Sequence, residues 1–456
     1  MTLHLPLTAL LLLAGAAGAA TPARIPEAAA AYVQAQAQAT GFMGTVLITQ
    51  RGRTLYAGTA GQANLELGAR VTPDTLFRIA SISKSFTAAA ILKLQDQGKL
   101  NVGDRLSRFL PAYPHAQEIT LHQLLTHTAG VADYTDRDAF ATFKALPHTL
   151  DALIARFAGQ PLNFAPGTKF QYSNAGYVLL SRVVEVASGQ PYADFLRQQV
   201  LAPAGLKLTD YDAPQPLRAG RASGYDFDGT TYTNADHVDA SVASGAGALI
   251  STARELDAWI HALQGGRVLS KAATAQMFTP AVPVAPGQDS RYGYGWLITP
   301  ASGAEPARTE HNGNIDGYMA LLRTYPAEDL TITVLSNVST APVGLMADDL
   351  AALVHGQPYT LPVKPRVVSV PAAVLDRYVG TYAFADGQQF EVRRQGAGLR
   401  VTVSDQIFPL IAVAPDRFLL QAVGAELVFG PVTGGQAEQV MFQQSGQSEP
   451  ARRVRR

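Results

Sequence analysis

The chain has 456 residues, more than one hydrophobic core ordinarily serves, which predicts two folded units, one large and one small. Hydrophobic residues make up 47% of it and charged residues 16%, a globular composition that excludes general disorder. Lys+Arg and Asp+Glu each number 36, so there is no basic excess to meet a nucleic acid, and the absence of cysteine excludes disulfides, thiolate metal sites and a Cys nucleophile.

Residues 1–20 read as an export signal. The apolar run 5–17 is shorter than the ~20 residues that span a bilayer, and Ala17-Gly18-Ala19 is an A-x-A-like cleavage site. The expected location is therefore secreted or periplasmic, with no stable membrane insertion once the signal is removed; the alternative is a retained anchor. A helix follows at 28–39, then strands at 44–49 and 53–60 around the Arg51-Gly52 turn. The stretch SISKSFTAAAILKLQDQGKL, starting at Ser81, has apolar residues on most sides of a helix and Gly98 at its C-terminal cap position. Further helices are predicted at 121–125, 150–158, 174–188, 192–200 and 252–263, and strands at 292–299, 317–325 and 330–337. This order, β then mostly α then β, requires the first and last strands to share one sheet with a helical region inserted between them. The large unit is set at 21–360. Pro362, Pro365 and Pro371 mark 361–372 as a stiff linker. Short alternating runs from 373 to 448 predict a small antiparallel sheet or barrel, and 449–456 reads as a solvated, frayed basic tail.

Three clusters carry polar chemistry. In Ser81-Ile82-Ser83-Lys84, a helix would bring the Ser81 hydroxyl and the Lys84 ammonium to one face, near a helix start that favours negative charge. A serine needs a partner to take its proton, and a desolvated lysine can assist. Ser-x-x-Lys alone is weak, expected on the order of once by chance in such a chain. In Tyr172-Ser173-Asn174, a tyrosine near an ammonium could act as base and acid, and the Asn174 amide could hold a carbonyl. The second Tyr-x-Asn, at Tyr232, lies in a Gly/Asp/Thr-rich stretch and reads as surface loop, whereas the strand-like FQY runs straight into a helix. In His311-Asn312-Gly313-Asn314, a strand with a polar residue and then glycine lets a substrate approach the backbone. His122 and His127 lack a metal-ligand spacing, and His127 reads as structural. No metal and no cofactor are expected.

These motifs, with TLFRIASISKSFTA, ITLHQLLTHTAGV, GTKFQYSNAGYVLLSRVVE, ASGAGALISTARELDAWIHAL, YGYGW and HNGNIDGY, resemble one group of serine hydrolases over roughly residues 28–355. It is the family of class C β-lactamases, DD-carboxypeptidases, D-aminopeptidases and related esterases. The resemblance implies an α/β (α+β) fold: an antiparallel sheet flanked by helices plus an all-helical region. It implies Ser81 as the acylated nucleophile, Lys84 as its activating partner, Tyr172 as general base and acid, and Asn174 bound to Lys84 and substrate. It puts His311, Gly313 and Asn314 in substrate binding, with the backbone N–H groups of Ser81 and Asn314 as oxyanion hole. The unit beginning LDRYVGTYAF resembles a lipocalin-like β domain appended to some members. His311 stands where β-lactamases carry a lysine, which shifts the expected substrate, a small molecule or peptide, from β-lactams toward D-amino-acid peptides, amides or esters. A neutral His311 that bonds substrate predicts activity falling below about pH 6. The alternatives are a class C-like β-lactamase and a non-catalytic penicillin-binding or scaffold homologue.

Overall fold

The computed structural model describes residues 25–454, apart from 136–138, 215, 286, 304, 404–405 and 445. The expected export signal, residues 1–20, lies outside the described residues. No helix among the described residues is long and apolar enough to cross a membrane.

The large unit is organised by an eight-stranded antiparallel sheet in the order Val282–Pro283, Arg291–Tyr292, Leu297–Thr299, Arg308–Ile315, Tyr318–Tyr325, Leu330–Ser336, Gly44–Gln50, Arg53–Ala60. As the β-α-β order requires, the first strand pairs with a late one, Val46 opposite Val334 and Ile48 opposite Ile332. The central strands are buried throughout because both faces are covered. Their period of two divides the residues between two cores. Val46, Ile48, Leu321 and Ile332 meet Tyr32 and Val33 of the helix Ile25–Thr40 and Met346 and Leu350 of the helix Val343–Val354. Leu47, Ala320 and Leu322 face the other way, into the core of the helical region.

That region surrounds the helix Ser83–Asp96, buried from Ser83 through Leu92 and capped by Gly98 at φ 70°. Leu121–Leu125, Leu150–Ala158 and Asn174–Ser188 form as expected. Three local expectations are corrected. The stretch 292–299 is not one strand: it breaks between Tyr292 and Leu297, and position 295 is held to glycine both by φ 75° and by the 2.8 Å that would separate a Cβ there from Ser85 Cα. Residues 192–200 are a short helix, Tyr192–Leu196, followed by a π-turn. The FQY before Asn174 is extended without pairing into a sheet.

The C-terminal strands form a closed eight-stranded barrel from Gly380–Ala383 to Gln447–Arg453. The frayed-tail expectation is overturned: Gln447–Arg453 is the closing strand, with Tyr382 opposite Arg453. Arg453 donates to the Ala437 and Val379 carbonyls, each at 2.7 Å, and its guanidinium stacks 5.0 Å from the Tyr382 ring centre. A basic composition hid a strand whose last arginine is consumed by carbonyls at the barrel base.

Candidate active site

Ser81 lies in a single 3-10 turn, Ala80–Ile82, which runs directly into the helix Ser83–Asp96. Ala80 takes φ 44°, a left-handed conformation costing on the order of 1 kcal/mol for a residue with a Cβ. Tertiary contacts hold the turn: Ile79 N–H donates to the Leu249 carbonyl at 3.0 Å, and the strand Arg308–Ile315 passes against it. That passage requires glycine at 313, where a Cβ would stand 2.2 Å from the Ile79 oxygen. Ser81 is left half-buried and reachable.

One turn on, Lys84 is fully buried. Its ammonium donates to Ser81 Oγ at 3.0 Å, Asn174 Oδ1 at 2.8 Å and the Ala246 carbonyl at 2.9 Å. Three acceptors match its three protons, which makes a buried cation tolerable. The Tyr172 ring centre is 4.7 Å from the same nitrogen, a cation–π distance. Asn174 opens the helix Asn174–Ser188, for which Ser173 is the N-cap. Its backbone N–H donates to the Asp133 carboxylate and its side-chain amide to Thr135 Oγ1 at 3.3 Å.

His127 clamps the Tyr172 segment from both sides. Its carbonyl accepts Gln171 N–H at 2.9 Å, its Nδ1 accepts Ser173 N–H at 3.0 Å, and its ring lies 4.3 Å from that of Tyr172. Burial first, and then the Lys84 charge, hold its pKa well below the usual histidine range. With Nδ1 accepting, the proton of the neutral ring sits on Nε2.

His311 is buried as well. Its Nδ1 lies 2.6 Å from the Asn312 carbonyl, which can only accept, so Nδ1 carries the proton; Nε2 then accepts from the Tyr292 hydroxyl at 2.9 Å. Burial, with the Lys84 charge second, lowers its pKa to about 3. Both ring nitrogens therefore have partners inside the protein. With a pKa of about 3 His311 is still neutral at pH 6, so a loss of activity below about pH 6 would have to come from another group.

Two cavities meet at Ser81. A small one, about 80 Å3, is lined by Asn174, Asn314, Tyr134 and Ile407 among others. A larger one, about 700 Å3, is shared by Tyr172, Asn312 and the open end of the barrel. Ser81, Lys84, Tyr172 and Asn174 thus converge, with Asn314 across the small cavity and Gly313 behind the Ser81 turn. Tyr232 donates to the Gly41 carbonyl at 2.8 Å and lines neither cavity. Ala246, Asp133, Thr135 and Tyr292 had no assigned role in the sequence. Ala246 acts through a backbone carbonyl, which no side-chain pattern reveals. Tyr292 sits in the YGYGW stretch, which is recognisable as a motif but carries no sign of its partner.

An antiparallel sheet with a helical region packed on it, and a serine, lysine, tyrosine and asparagine where the two meet, define a β-lactamase/transpeptidase-like protein. The family model described as Beta-lactamase matches residues 29–356, and the chain belongs to that family of serine hydrolases. It is 30% identical over 433 residues to penicillin-binding protein 4* of Bacillus subtilis, covering 90% of this chain and 95% of that protein. Among solved structures it is similar to a penicillin-binding protein from Bacillus halodurans, at 29% identity and a TM-score of 0.63, over 71% of this chain and 99% of that one. A D-stereospecific amidohydrolase from Streptomyces is 26% identical with a TM-score of 0.62, over 72% of this chain and 99% of that one.

Proposed function

We propose that the protein is an exported hydrolase that transfers the acyl group of an ester, amide or D-amino-acid peptide to Ser81 and then to water. The observation that carries this is the Lys84 ammonium, bonded at once to Ser81 Oγ at 3.0 Å and Asn174 Oδ1 at 2.8 Å, and 4.7 Å from the Tyr172 ring. In this reading Ser81 Oγ attacks the carbonyl carbon while its proton passes to Tyr172. Lys84 keeps its proton and favours the phenolate electrostatically. The N–H groups of Ser81 and Asn314 receive the developing oxyanion, and Asn174 turns its amide toward the substrate. Tyr172 then protonates the leaving group, and water completes the cycle by the reverse transfers. His311 and Gly313 contribute by position: His311 fixes the Asn312 carbonyl and Tyr292, and Gly313 lets the strand reach Ser81. The export signal at 1–20, the hydrolase unit at 21–360 and a secreted or periplasmic location belong to the same proposal.

A second reading, acylation by β-lactams, is supported by relatives named as penicillin-binding proteins. Slow or absent turnover is expected there, because neutral His311 supplies no fixed charge for the β-lactam carboxylate.

Intact-mass spectrometry after incubation with a fluorophosphonate, beside Ser81→Ala, tests the proposal. The expected result is one stoichiometric adduct in the wild type and none in Ser81→Ala. Folded wild type that gains no mass overturns it in favour of a non-catalytic homologue.

A further inference from the structure

The barrel is sealed at one end and hollow at the other. At the sealed end, Tyr378 stacks on Phe429 with ring centres 4.2 Å apart, Phe418 meets both edge-on, and the Tyr382 hydroxyl donates to the Tyr378 carbonyl at 2.8 Å. At the other end Phe384 meets Phe390 and Phe442 with ring centres 5.3 and 5.9 Å apart, and a cavity remains beside them. Phe390, Val401, Phe408, Leu420, Leu427 and Phe442 surround the cavity of about 700 Å3 whose opposite wall is Ser81, Tyr172 and Asn312. The cavity is therefore a partly open chamber between the two units. The units are held in this relation by the Arg400–Asp226 ion pair and by buried Gln421, which donates to the Thr40 carbonyl at 2.8 Å and the Thr340 carbonyl at 3.1 Å.

Three features of the chamber select a ligand. Its inner wall is apolar and aromatic. Its mouth carries Asp386 and Glu449, both exposed and neither in an ion pair among the described residues, and no lysine or arginine lines it. Tyr172 lines this chamber and not the small cavity, where Asn174 and Asn314 stand instead.

We infer that the barrel chamber binds the leaving group of the substrate, an uncharged or cationic apolar alcohol or amine of substantial length, while the small cavity admits only a short acyl group. The inference rests on the acyl-enzyme chemistry proposed for Ser81, in which the group that departs is the one Tyr172 protonates. The Ser81 Oγ–acyl bond forms as the bond from the acyl carbon to the leaving oxygen or nitrogen breaks. The Ser81 proton travels through Tyr172 to that atom, and the freed alcohol or amine is already seated in the chamber. Leaving groups with a free carboxylate are disfavoured twice, by the acidic mouth and by a neutral His311 that offers no cation.

Two measurements test this on the full chain. In the first, kcat/KM is compared for acetate esters of alcohols from two to ten carbons and for ethyl esters of acids over the same range. Burial of each methylene predicts a rise of about two- to fourfold per carbon in the alcohol series and a fall in the acid series. Equal slopes, or a rise confined to the acid series, overturn the assignment. In the second, Ser81→Ala protein is titrated with N-phenyl-1-naphthylamine, an uncharged fluorescent probe. The expected result is saturable binding at one site, displaced by decanol and not by decanoate, and at least tenfold weaker in Val401→Trp and Leu427→Trp variants shown to be folded by circular dichroism. Undiminished binding in both folded variants, or none in the parent, overturns the chamber. Because the probe needs no turnover, a protein that resists fluorophosphonate but binds the probe would refute the hydrolase and leave the chamber standing.

Discussion

His311 is where burial changes the expected chemistry most. A histidine on a strand beside the site reads as a titrating group, yet its folded pKa of about 3 lies far below the usual 6.5. The sign follows directly. Below pH 6.5 the unfolded chain takes up a proton that the folded chain refuses, so the stability that neutral His311 contributes is complete above 6.5 and is lost as pH falls toward 3. His127 is buried and lowered for the same reasons and acts in the same direction. Each contributes a slope of about 1.4 kcal/mol per pH unit once pH is well below 6.5. Urea titrations between pH 4.5 and 7 are expected to show stability falling with acid, less steeply in His311→Gln by one histidine's share. Over pH 5–8 the rate should carry no ionisation belonging to His311, so an acid limb abolished by His311→Gln would contradict the assignment.

At the scale of elements, the site depends on how closely one strand passes one turn. Gly313 is the contact point: alanine there would put its methyl 2.2 Å from the Ile79 oxygen, and backbone on both sides leaves no flexible side chain to yield. Gly313→Ala is expected to destabilise the fold by about 1–3 kcal/mol and to lower fluorophosphonate labelling at Ser81 more than tenfold in the protein that remains folded. Wild-type labelling would show that the turn does not need the contact. The helices were legible because periodicity and caps coincide. Thr149 caps Leu150–Ala158 and Ser173 caps Asn174–Ser188, both by side chains that accept backbone N–H groups. The Ser81–Lys84 pairing was legible from its spacing, as was its meeting with Tyr172 and Asn174 from the resemblance. What was hidden depends on contacts distant in sequence. These include Gly295 against the nucleophile helix, the Ala246 carbonyl on Lys84, the Tyr292 bond that redirects His311, and a last strand disguised as a basic tail.

In the whole molecule the barrel beyond the proline-rich stretch 361–372 shares an apolar core with the large unit. One apolar core runs from Tyr32 and Val334 through Met346 and Leu350 to Leu375, Tyr382 and Phe418. Leu345 on the helix Val343–Val354 packs against Gly424 of the barrel, where a Cβ would be 2.5 Å from Leu345 Cδ1. Val368 N–H, within the proline-rich stretch, donates to the Ala412 carbonyl at 2.9 Å, so the connection itself is pinned to the barrel wall. A shared core couples the unfolding of the two units, and calorimetry of the wild type is expected to give one transition rather than two. The polar part of the seam includes Asp226, which accepts from Arg400 and from Ser339 Oγ at 2.6 Å, the carboxylate and the guanidinium both being largely shielded from water. Arg400→Ala leaves that carboxylate without its cation and should cost about 1–3 kcal/mol. The loss should appear first as separation of the barrel transition from that of the hydrolase unit. If Arg400→Ala instead lowers a single transition without splitting it, the apolar core alone carries the coupling. If the wild type already melts in two steps, the units are thermodynamically independent and the shared core does not join them.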